Sequence, residues 1–345
     1  MGKKLGVYLL SATLLANLFF ASVVKAAEGE EVIDEKWGSP TFVYGSALNA
    51  EQVQKTKEIL AIDGKSNIVS LSISGKDMVR LLGGGNPNAN MYSSALIEGN
   101  EKGGVVVEIL TPENITKVSM NQYANALITA GATDVSVQVA SPVKVTGESA
   151  LTGVYLAYED KGVELDETAM NVAQEELGVV TDISQDLQGT EGYDDELLNM
   201  ALIHIKQELA NAKAENAGAL PDEVIQQVVN DSLAEYGLDT IVTAEQVAQL
   251  TGLAASYVNL DNLFTPEMQA QLEQLATDVT AKAKELAGDV AGKIGDTLSD
   301  EGFWEGVKNF FVGIIDWIAA LFVSDTPEQE PTAVNTEFQQ SRFTL

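Results

Sequence analysis

The sequence predicts an α+β protein: an N-terminal mixed α/β, sandwich-like domain, then an α-helical domain, then a C-terminal amphipathic helix. Three observations carry this reading. Short apolar runs that alternate with polar residues recur at 41–46, 67–74, 92–98, 105–110 and 135–139, and a period of two marks strands. Segments with apolar residues at steps of three and four lie between them. Beyond Glu164 the strand pattern stops, and helical periodicity alone continues to about residue 323.

In chain order, the strand at 41–46 is followed by Asn49, a helix cap, and by a helix in which Val53, Ile59, Leu60 and Ile62 share a face. The strand at 67–74 leads to a short helix at 76–82, stopped by Gly83, Gly84, Gly85, Asn86 and Pro87. Strands at 92–98 and 105–110 are joined at Gly99, Asn100, Gly103 and Gly104 in the manner of a hairpin. A helix at 120–130 ends at Gly131, a strand covers 135–139, and a helix at 149–158 follows the turn at Thr146 and Gly147. The helical half reads as segments at 166–177, 194–215, 222–236, 244–258 and 267–298, two of them opened by Pro221 and Pro266.

The ends of the chain speak about location. Lys3 and Lys4 precede an apolar run to Val24, and Val24 and Ala26 form a small-residue processing site before an acidic stretch. This order is that of a secretory signal peptide at 1–26, cleaved before Ala27. An acidic linker at 27–39 precedes the α+β domain at 40–160 and the helical domain at 161–300. The aromatic helix at 301–324 and a polar, proline-containing tail at 325–345, read as disordered, complete the chain.

Composition excludes several chemistries. The chain has no cysteine, so thiolate metal sites, redox motifs and cysteine nucleophiles are out. Its net charge is −31, and loss of 1–26 with its three lysines takes it to about −34. Such a chain presents no broad basic surface, and nucleic acid is excluded as a partner on that ground. No cofactor motif or calcium-loop spacing is present, and the acidic cluster from Glu159 to Glu167 reads as a solvated helix start.

Candidate chemistry is sparse. His204, the single histidine, falls within a helical apolar run and reads as structural or surface. Ser141 and Lys144 match the S-x-x-K spacing of serine acyl-enzymes, but Pro142 and the flanking valines make the segment extended. Gly83, Gly84 and Gly85 lack the lysine of a phosphate loop and read as a turn.

The strongest surface signal is the C-terminal helix. Phe303, Trp304, Val307, Phe310, Phe311, Ile314, Trp317, Ile318, Leu321 and Phe322 fall in one sector of a helical wheel, with Glu305, Asn309 and Asp316 opposite. Something must cover so dense an apolar face. Three covers fit it: the helical domain itself, a membrane surface, or a protein partner docked through residues 303–323.

The stretch YANALITAGATDVSVQVASPVKVTGESALTGVYLAY from Tyr123 to Tyr158 resembles the signature of an uncharacterised family of exported Firmicute proteins, the domain of unknown function numbered 1002. The Ser93-Ser94 strand, Tyr123-x-x-Ala126-Leu127, the stop at Thr129-Ala130-Gly131 and Gly147-x-x-Ala150-Leu151-Thr152-Gly153 carry the resemblance. It implies export to the cell surface or medium and supplies no catalytic residues. The sequence therefore leads to two functional expectations: an exported, non-catalytic, envelope-associated binding or interaction protein, or a secreted carboxylate-dependent hydrolase acting on cell-wall or extracellular polymer.

Overall fold

The protein is described from a computed structural model covering residues 37–65, 67–215 and 220–289. Local signals set the helix starts. Asn49 and Gln52 exchange two 2.9 Å hydrogen bonds ahead of α1 (Ala50–Ile59). Ser74 with Asp77, Ser119 with Gln122 and Thr243 with Gln246 form the same reciprocal box ahead of α2 (Gly75–Leu82), α3 (Met120–Thr129) and α8 (Ala244–Val258). Asp166, inside the acidic cluster, caps α5 (Glu167–Leu187) by accepting from the Ala169 N–H at 2.9 Å.

Five strands, β1 (Thr41–Gly45), β2 (Val69–Ile73), β3 (Ser94–Gly99), β4 (Val105–Ile109) and β5 (Val135–Ala140), form one mixed sheet in the order β2-β1-β3-β5-β4. β1 with β2 and β4 with β5 are parallel, and β3 is antiparallel to both β1 and β5. The fold is α+β, as the sequence pattern predicts.

The expected β3–β4 hairpin does not form, because β5 lies between the two strands. Val135, Val137 and Val139 of β5 are all buried, while β4 at the sheet edge leaves Val106 exposed. Asp134 fixes the entry: its carbonyl accepts from the Asn100 N–H at 2.7 Å, and its carboxylate accepts from the Gly104 N–H at 2.9 Å. The Gly/Asn turn thus opens to admit β5.

Helices cover the sheet unequally. On one face α1 packs Val53 and Ile59 over Phe42, Leu96 and Ala140. On the other lie α3 and α4 (Ser149–Asp160), and α3 is buried at every residue from Gln122 to Thr129. Beyond α3 sit α5, α6 (Asp195–Glu215), α7 (Asp222–Glu235), α8 and α9 (Pro266–Asp289). A single apolar core runs from Trp37 through the sheet and the helical half to Val279. α5 extends beyond the expected stop at Leu177, because Val180, Ile183 and Leu187 continue its buried stripe and outweigh a glycine cost of about 1 kcal/mol at Gly178.

Candidate functional site

The cleft with the most unsatisfied chemistry lies where β1 and β2 end and β3 and α4 begin. After α2, the chain from Gly83 to Ser93 crosses the ends of β1 and β2. It approaches so closely that a Cβ on Gly45 would run into the Met91 carbonyl, while the Ala47 N–H donates to that same carbonyl at 3.0 Å. On the other side, 144–149 leads into α4. Gly147 has φ +113°, and its carbonyl accepts from the Tyr123 hydroxyl at 2.6 Å. The Ser93 N–H then donates to Ser149 Oγ at 3.2 Å and ties the two walls together.

Between these walls lies a cleft of about 330 Å³, lined by Met78, Met91, Tyr92 and Ser93, by Lys144, Glu148, Ser149 and Thr152, and by Gln174 of α5. Three of its polar atoms are buried without a hydrogen-bond partner: Ser93 Oγ, Thr152 Oγ1 and Gln174 Oε1. Ser93 is 1% exposed and Thr152 is fully buried. Each unmade hydrogen bond of this kind costs about 1–3 kcal/mol. Folding has no evident reason to gather three of them at one cleft. The first turn of α4 also has no side-chain cap.

Lys144 and Glu148 both line the cleft, yet they form no ion pair with one another. Glu148 accepts a hydrogen bond from Thr146 Oγ1 at 3.2 Å. Ser141 takes no part. It is buried, its segment is not helical, and its hydroxyl donates to the Val143 carbonyl at 2.7 Å.

A second polar cluster lies wholly inside the protein. Lys206 of α6 places Nζ 2.8 Å from Glu176 Oε1 of α5 and also donates to Asn125 Oδ1 of α3 at 3.2 Å. The Thr129 hydroxyl donates to the other Glu176 oxygen, and the Lys206 ammonium lies 5.1 Å from the centre of the Tyr257 ring of α8. Burial pushes the Lys206 amine down from its ordinary value, while the Glu176 charge and hydrogen bond oppose this. Burial and Glu176 both push the Tyr257 phenol up. None of these residues lines any of the three described clefts, and the cluster joins four helices.

His204 borders a groove of about 460 Å³ between α6 and α7, with Glu208, Asp231 and Glu235 on its walls. Its Nε2 is 3.9 Å from Glu208 Oε1, and its ring meets the Tyr236 ring edge-on at 5.8 Å. Burial lowers its pKa to about 4, against the opposing pull of Asp231, so the imidazole is neutral at pH 7. Among the described residues no cluster of His, Asp or Glu is arranged to hold a metal ion.

The aromatic residues from Phe303 to Phe322 lie outside the described residues. Among those described, no helix is long and apolar enough to cross a membrane.

Sequence reasoning missed the cleft and the buried ion pair. Glu176 follows Ala173 and precedes Val180 on the buried stripe of α5, and Lys206 sits between Leu202 and Leu209 on that of α6. A charge at a core position of a helical stripe was the available signal for the pair. For the cleft there was none, because Ser93 and Thr152 are ordinary residues in their own segments.

No solved structure matches this chain. It is 27% identical over 330 residues to the uncharacterized protein YpuA of Bacillus subtilis, an alignment covering 93% of this chain and 99% of that one. The family profile described as protein of unknown function (DUF1002) matches residues 44–275, which include β2 to α8, the cleft and the buried ion pair. The chain belongs to the DUF1002 family of proteins of unknown function.

Proposed function

We propose that the protein is exported by its first 26 residues and acts outside the cytoplasm as a non-catalytic, envelope-associated binding protein, with the cleft beside α4 as its ligand site. One observation carries the ligand site: the partnerless buried oxygens of Ser93, Thr152 and Gln174 line one small cleft. A cleft of about 330 Å³ suits a small molecule. The export reading rests on the order of basic, apolar and small residues up to Ala26. Docking to a membrane or a partner through 303–323 belongs to the same proposal.

Two measurements test it. N-terminal sequencing of protein recovered from the culture medium should begin at Ala27; recovery solely as a membrane form beginning at Met1 or Gly2 defeats the export reading. A thermal-shift screen with soluble fragments of cell-wall digest should raise the melting temperature of the wild type and not that of Thr152→Val.

The groove bearing His204 supports a second reading. Its three carboxylates make it the place where a carboxylate-dependent hydrolase would be built. Release of soluble fragments from peptidoglycan or glycans, lost in Asp231→Asn or Glu235→Gln with the fold intact, would decide for it.

A further inference from the structure

The chemistry of the cleft narrows the class of its ligand, on the footing that the cleft is the binding site. Its wall carries one positive side chain, Lys144, and one negative, Glu148, neither engaged in an ion pair among the described residues. Opposite charges that line one small cleft without neutralising each other are complementary to a ligand carrying both signs. The chain as a whole has a net charge of −31, which repels a purely anionic ligand.

The unsatisfied polar groups sort in the same way. The hydroxyls of Ser93 and Thr152 can donate, and the first turn of α4, which no side chain caps, favours a negative group. Gln174 Oε1 can only accept, and it lines the cleft together with the Glu148 carboxylate. Met78 and Met91 supply an unbranched apolar wall that adapts to small side chains.

We propose that the cleft binds a small zwitterion, a free amino acid or a dipeptide. Lys144, Ser93, Thr152 and the α4 turn take its carboxylate, and Glu148 with Gln174 takes its ammonium. Met78 and Met91 face its side chain.

The test is calorimetric titration of the full chain with alanine and with alanyl-alanine in both chiral forms. N-acetylated and C-amidated counterparts follow, with N-acetylglucosamine as an uncharged probe. Binding of at least one free zwitterion is expected, weakened at least about tenfold by capping either end. Lys144→Met should weaken the free zwitterion to the level of its amide and leave the amide unchanged, and Glu148→Gln should do the same for the N-acetyl form. Lys144 is exposed, and Glu148 is half-buried and makes no side-chain cap bond to α4, so both variants are expected to fold, with circular dichroism as the check. Equal binding of capped and free forms, or binding of N-acetylglucosamine alone, overturns the zwitterion and leaves the cleft as a binding site. No heat from any probe, with Thr152→Val no more stable than wild type, overturns both.

Discussion

Lys206 Nζ lies 2.8 Å from Glu176 Oε1 at a point where neither side chain reaches solvent, 0% and 1% exposed respectively. Desolvating two charges costs several kcal/mol apiece, and here the attraction is supplemented by hydrogen bonds from Thr129 to Glu176 and from Lys206 to Asn125. Lys206→Met strands the Glu176 carboxylate and should cost about 3–5 kcal/mol. The double variant with Glu176→Gln should cost less than the two single changes together. Urea unfolding measures all four proteins, and simple additivity would show that the pair is not coupled.

Thr152→Val should behave in the opposite way. It removes a fully buried hydroxyl that has no partner and keeps the shape of the side chain. The ligand-free protein should gain about 1–3 kcal/mol while ligand binding is lost. A destabilised variant would mean that the hydroxyl is satisfied in the folded protein.

Acid should weaken the protein through His204. Its folded pKa of about 4 lies below the ordinary 6.5, so between those values the unfolded chain binds the extra proton. The stability it contributes is complete above about pH 6.5 and is lost as pH falls toward 4, on the order of 3 kcal/mol in all. Asp194, whose carboxyl is pushed up by burial, acts in the other direction, so the difference between wild type and His204→Phe isolates the imidazole. That difference should move in the variant's favour by this amount as pH falls from 7 to 4, and a constant difference would refute it.

Gly147→Ala should destabilise the protein and distort the cleft together. An added Cβ would sit 2.7 Å from the Tyr123 hydroxyl, and φ of +113° is strained for alanine. A loss of about 1–3 kcal/mol is expected. Tyr123→Phe in the Gly147→Ala background should relieve the contact with the hydroxyl but neither the 2.8 Å approach to Ile115 Cγ2 nor the backbone strain, leaving most of the loss in thermal melting.

The sequence by itself determined what depends on neighbours a few residues apart. Asn49, Ser74, Ser119, Asp166 and Thr243 mark helix starts through side chains that reach the backbone three residues on. Alternation marked the five strands, and periodicity marked the helices. Tertiary structure decided the rest. β5 lies between β3 and β4, paired with both, and that choice of neighbours is not written in any one strand alone. Glu176 finds Lys206 because the apolar stripes of α5 and α6 are drawn into one core, which brings together two charges that neither helix could bury by itself. Ser93 and Thr152 become one cleft because the loop ending at Ser93 is tied to the start of α4, an encounter set by the packing of the whole sheet.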